Sequence, residues 1–205
     1  IFYLEQHNRY KGAISALFVS YTQIIATTFF GIAGAIYFLV EYQAAGNSWQ
    51  YLIWLAVALI VLLFFLVFKK SIIRFLMVKN KHVLTFLRTI NRYKDIETLS
   101  LIGLSALRFC VFATQFVLAL YLFGLQVPFV SAFLLVSLIY GIQTVVPASA
   151  ISGLGIRGAL SVYFIGLLVQ STSAILTATY FIWIINLLIP SVFGIVALLA
   201  SPVKY

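Results

Sequence analysis

The chain has 205 residues, of which 64% are hydrophobic and only 8% charged, against about 25% charged in an ordinary soluble domain. There are too few polar groups to cover a water-facing surface, which excludes a soluble globular fold. The apolar runs are continuous, not alternating, and reach the ~20 residues that a helix needs to cross a bilayer, which argues against a transmembrane β-barrel. The expected fold is all-α: one polytopic transmembrane helical bundle over residues 1–205, with about six membrane-crossing or re-entrant helices and one interfacial amphipathic segment.

The first apolar run covers 13–40. Gly31, Gly34 and Ala35 put small residues on neighbouring turns there; they either permit close helix packing or simply fill a membrane helix. The polar start, Ile1 to Lys11, lacks the pattern of a signal peptide and reads as an interior segment of a longer protein, N-terminally incomplete. A second span is expected over 49–68, opened by Trp49, Tyr51 and Trp54 at the level of an aromatic belt and closed by Lys69-Lys70.

Eight of the thirteen Lys and Arg residues follow within one stretch: Lys69, Lys70, Arg74, Lys79, Lys81, Arg88, Arg92 and Lys94. Apolar residues (Ile72, Ile73, Leu76, Val83, Phe86, Leu87, Ile90) are interleaved at spacings of three and four. Residues 69–98 therefore read either as basic helices lying on an anionic leaflet or as a cytoplasmic loop packed on the bundle. The net charge of +9 is explained by this placement, so membrane lipids, preferentially anionic, are the expected partners and nucleic acid is not. By the positive-inside rule this stretch is cytoplasmic, which puts Arg9, Lys11 and Lys204 on the same side. Both ends of this segment are then cytoplasmic in a multi-pass protein of the cell (inner) membrane.

The third and fourth spans are expected over 99–125 and 129–146, joined by Gln126-Val127-Pro128. Arg108 and Gln115, seven residues apart, share a helix face. Either that face looks into the bundle, or Arg108 snorkels toward the cytoplasmic interface; an Arg at the bilayer centre costs about 2.5–3.5 kcal/mol on insertion scales. The stretch from Pro147 through Ser149, Ser152, Gly153 and Gly155 to Arg157 and Gly158 is expected to interrupt regular structure. A short apolar piece, 159–169, follows, and a last span covers 174–200. Arg157 would then sit near the start of a half-helix. It is either part of an anion site with the helix N-terminal amides, or an ordinary cytoplasmic turn residue. Tyr140, Gln143 and Asn186 read most simply as interhelical hydrogen-bonding groups.

The four acidic residues, Glu5, Glu41, Asp95 and Glu97, all lie outside the spans. No His/Cys cluster, metal motif or phosphate-binding loop occurs, and the single cysteine, Cys110, cannot form an intrachain disulfide. Neither a metal nor a cofactor is expected, and enzymatic chemistry lacks its residues.

The motifs Ser105-Ala106-Leu107-Arg108-Phe109, Gln115, Phe123-Gly124, Gly153-Leu154-Gly155-Ile156-Arg157 and Trp183…Asn186…Pro190 together resemble the membrane domain of the lysylphosphatidylglycerol synthase/flippase-like family. That family's segment ends Gly-Leu-Gly-Val-Arg-Glu. Here Gly158 replaces the Glu, Ala150-Ile151-Ser152-Gly153 stands for the usual Pro-Gly-Gly, and Thr22-Gln23 occupies the place of a Glu-Arg pair. These departures remove the residues of a charge-pair mechanism and mark a divergent branch. The resemblance implies a flippase-like protein that moves lipid, or a lipid-linked anionic molecule, between leaflets. Arg108, Gln115, Gln143, Pro147, Ser149, Ser152, Gly153, Gly155, Arg157 and Asn186 are the candidate substrate path. The competing expectation is a non-catalytic scaffold subunit of an envelope-biosynthesis complex, with a homo-oligomer or such a complex as its setting.

Overall fold

The structure, a computed structural model, describes residues 6–42, 95–145 and 150–200. The expected second span 49–68, the basic stretch from Lys69 to Lys94, and Pro147 and Ser149 lie outside these residues. All regular structure among the described residues is helical: α1 (Gln6–Tyr42), α2 (Asp95–Leu122), α3 (Phe129–Val145), α4 (Ala150–Ile165), α5 (Thr172–Trp183), a π-helical turn (Ile184–Leu188) and α6 (Ile189–Ala200). Among the described residues, three stretches are long and apolar enough to cross a membrane: Val19–Tyr42, Leu99–Leu122 and Thr172–Ala197. By length and composition this is a helical membrane protein. Helices α3 and α4, of 17 and 16 residues, are apolar but reach only ~25 Å at 1.5 Å per residue, short of the ~30 Å hydrocarbon core.

The chain divides into two compact units, Ile1–Cys110 and Val111–Tyr205, with the division inside α2. In the first unit α1 meets the N-terminal half of α2. The Thr22 and Ser105 hydroxyl oxygens lie 2.9 Å apart, and the Phe30 and Phe109 rings stack at 4.6 Å with 6° between planes. Both contacts climb in sequence on both helices. Thr22 to Phe30 is a rise of about 12 Å and Ser105 to Phe109 about 6 Å, so α1 and α2 run in the same sense and cross at an angle. An antiparallel pair would bring Phe30 beside residues before Ser105, not after it.

In the second unit the C-terminal half of α2 supplies Ala113, Phe116, Val117, Ala119 and Leu120 to the core. Ala132, Leu135, Val136 and Ile139 of α3, Phe164 and Ile165 of α4, and Ile175, Ala178 and Ile182 of α5 are buried in the same unit. Helix α2 ends where Gly124 adopts a positive φ of 78°. The Gly124 N–H donates to Tyr121 O and the Leu125 N–H to Leu120 O, both at 3.0 Å. This paired cap needs a left-handed residue, which glycine adopts without steric cost. Pro128 then precedes α3, its carbonyl accepting from the Ala132 N–H at 2.9 Å.

The expected interruption over 147–158 is shorter than its Pro/Ser/Gly content suggests, because α4 is already helical at Ala150. In apolar surroundings every backbone amide must find its partner within the segment, and that demand outweighs the weak helix propensity of Gly and Ser. Gly158 serves packing instead. At Gly158 an added Cβ would come within 2.9 Å of Tyr180 Oη and 3.2 Å of Leu176 Cδ2, so a bare Cα there lets α5 lie close against α4.

Candidate functional site

Helices α3 and α4 form an antiparallel pair, and their polar residues meet across it. Tyr140 and Gln143, three apart, share a face of α3; Gly153 and Arg157, four apart, share a face of α4. The Arg157 Nε–H donates to Gln143 Oε1 at 3.0 Å. The Gln143 Nε2 amide donates in turn to Gly153 O at 3.4 Å. The guanidinium carbon lies 5.2 Å from the centre of the Tyr140 ring, within cation–π range. Tyr140 is itself braced edge-on by Phe116 at 6.3 Å.

Arg157 is therefore not at a helix start. It lies seven residues beyond Ala150, about 10 Å into α4. It is held by a glutamine and a tyrosine, neither of which neutralises it. The sequence from Thr98 to Tyr205 contains no Asp or Glu, so the second unit offers Arg157 no carboxylate at all. A guanidinium has five N–H donors. Among the described residues only Nε finds an acceptor, leaving the two Nη groups to be satisfied by something else.

A second polar pair lies on α2 and the π turn. The Asn186 Nδ2 amide donates to Gln115 Oε1 at 3.2 Å. Asn186 is the central residue of Ile184–Leu188, the π turn. Pro190 explains that turn: four residues on, it has no N–H for the Asn186 carbonyl and its ring crowds that oxygen, so the helix widens by one residue.

Of the expected path residues, Gln143, Gly153 and Arg157 come together, as do Gln115 and Asn186. Ser152 and Gly155 lie on the exposed side of α4. In the first unit Arg108 is exposed, with Leu104, Leu107 and Val111 exposed around it. Gln115, on the same helix, is half-buried. At the Thr22-Gln23 position, Thr22 bonds to Ser105, and Gln23 Oε1 is buried with no partner among the described residues. Tyr140 was legible only as a hydrogen-bonding group; its ring face is what the structure uses, and its spacing of three from Gln143 was the available signal.

Comparison with protein-family models, with curated proteins and with solved structures found no match for this chain.

Proposed function

We propose that this chain is a flippase-like integral membrane protein that moves lipid, or a lipid-linked anionic molecule, between the leaflets of a bacterial inner membrane. One observation carries the reading: Arg157, part-buried between apolar helices, is oriented by Gln143 and Tyr140 and has no carboxylate in its half of the chain. A structural ion pair would place an acid beside it. A cation kept oriented and uncompensated in such surroundings attracts an anion, and the planar guanidinium matches phosphate with paired N–H donors. Gln143 and Tyr140 fix the guanidinium without cancelling its charge, so a phosphate headgroup can replace water there and leave again.

The shared sense of α1 and α2 supports a multi-pass arrangement with cytoplasmic ends. Both helices are preceded by basic residues, Arg9 and Lys11 before the first span and the stretch ending at Lys94 before the next. Two same-sense spans require the chain between them to return to its starting side. The clustered charge of that stretch in the sequence suits an anionic leaflet. The amide pair Gln115–Asn186 at the π turn offers neutral hydrogen-bonding groups along the route. The resemblance to flippase-like membrane domains points the same way.

The test is leaflet exchange in liposomes with acyl-labelled anionic lipids and the full-length protein, verified as folded. Exchange above the protein-free rate is expected, reduced at least about tenfold in Arg157→Gln, as the loss of a charge-assisted site entails. Wild-type exchange at the protein-free rate would sink transport in favour of the scaffold role.

A further inference from the structure

Resting on that reading of Arg157 as a headgroup site, we infer that the site admits lipids whose headgroup carries a phosphate and no ammonium group. Proteins hold an ammonium with a carboxylate or with an aromatic face. The described residues of the second unit supply no carboxylate and no free aromatic face at the cluster. No Asp or Glu occurs from Thr98 to Tyr205, and Tyr140, the aromatic ring at the site, already has the guanidinium over it at 5.2 Å.

The carbonyl oxygens of the cluster each already accept one of its hydrogen bonds and give an ammonium no charge to pair with. Gln143 Oε1 accepts from Arg157 and Gly153 O from Gln143. What remains is donor-rich: the four Nη hydrogens of Arg157, which have no acceptor among the described residues. The complement of four donors and a positive charge is a phosphodiester. An amine on the same headgroup would meet the guanidinium as a like charge, inside a low-dielectric bundle where screening is weak. The substrate class is thus an anionic lipid with a polyol or otherwise uncharged remainder. Zwitterionic phosphatidylethanolamine and aminoacylated phosphatidylglycerol are disfavoured by the same amine.

The experiment is calorimetric binding to the full-length protein in neutral detergent, with three probes: dihexanoyl phosphatidylglycerol, dihexanoyl phosphatidylethanolamine, and glycerophosphoglycerol, the first headgroup without its chains. Phosphatidylglycerol is expected to bind at least about tenfold more tightly than phosphatidylethanolamine, the size of effect that one unpaired like charge produces. Glycerophosphoglycerol should bind more weakly than either lipid. Arg157→Gln should abolish the preference. Gln143→Glu, which keeps Arg157 paired and so protects folding, should bring the two lipids to similar affinity.

Equal wild-type affinities would overturn the inference. So would a preference that survives both substitutions, because the basic stretch would then be its source. Glycerophosphoglycerol binding as tightly as the lipid would make the ligand a soluble phosphodiester and overturn the lipid assignment. The two proposals fail separately: a headgroup preference without leaflet exchange removes transport alone, and exchange without a headgroup preference removes selectivity alone.

Discussion

Arg157 and Gln143 are joined by a hydrogen bond of 3.0 Å from Nε to Oε1, and the chemistry of the site turns on Gln143 being an amide. Gln143→Glu changes one group and leaves the shape nearly intact. The new carboxylate would pair with the guanidinium through a charge-assisted bond about twice as strong as the neutral one. The variant is expected to keep or raise its melting temperature in detergent while anionic-lipid exchange falls about tenfold or more, since the positive charge is cancelled. A variant that retains wild-type exchange would show that the charge of Arg157 is not what the substrate meets.

Gly158 tests the seam between α4 and α5. A methyl group there would lie 2.9 Å from Tyr180 Oη and 3.2 Å from Leu176 Cδ2. Tyr180 is exposed and can swing its phenol aside, so Gly158→Ala should cost only about 1 kcal/mol, whereas the branched Gly158→Val should cost about 2–3 kcal/mol. Removing the nearest atom with Tyr180→Phe should restore part of the Gly158→Ala loss. Thermal unfolding of the two single variants and the double variant measures this coupling directly; additive losses would mean that the helices do not meet through these two residues.

Much of the fold was legible because membrane helices are written in composition. Runs of apolar residues, the link Gln126-Val127-Pro128 and the break before α5 follow from local chemistry. The interruption expected over 147–158 is shorter than expected, because Gly and Ser weaken a helix in water whereas apolar surroundings enforce backbone pairing, and α4 is helical from Ala150. Arg157 and Gln143 were visible singly, but their meeting depends on how two helices pair. The periodicity of neither helix fixes that. The π turn had its cause in plain view at Pro190, yet which carbonyl it would free depends on the helix continuing through the proline.

Thr22 and Ser105 bind α1 to α2 through a directed chain of hydrogen bonds. The single Thr22 hydroxyl hydrogen goes to Val19 O at 2.9 Å, so Ser105 is the donor in the 2.9 Å contact between the two hydroxyls. Both residues are buried. Interhelical bonds of this kind in membrane proteins contribute about 0.6 kcal/mol on average and up to about 1.7. Thr22→Val and Ser105→Ala should each destabilise within that range, and the double variant should lose no more than the worse single. A fully additive double-mutant cycle would show that the hydroxyls act separately.

Ser161 is fully buried on α4, one turn beyond Arg157, and its hydroxyl finds no partner among the described residues. A buried hydroxyl without a hydrogen bond bears a desolvation penalty of about 1–3 kcal/mol, and replacing it with a methyl group removes that penalty at almost constant shape. Ser161→Ala should therefore be neutral or raise the melting temperature. A marked fall would mean that the hydroxyl is bonded in the membrane, by water or by a substrate group. Comparing melts with and without added anionic lipid separates these two, since only the second would make the loss depend on lipid.

Pro190 sets the position of Asn186, and with it the bond to Gln115 at 3.2 Å. Pro190→Ala restores an N–H to the Asn186 carbonyl, so the π turn should relax to α-helix. One residue fewer in the widened turn rotates Asn186 by up to about 100° relative to α6. The Asn186 side chain then no longer points at Gln115 from the same helix position. Cys110 is the sole cysteine, so a Cys110→Ser background carrying Gln115→Cys and Asn186→Cys reports the approach through a short bis-thiosulfonate linker. Cross-linking should be efficient while Pro190 is present and fall several-fold once Pro190→Ala is added, as the geometry is lost. Equal yields would mean that the turn is held by packing around Ile184–Leu188, and that the proline does not shape the polar pair.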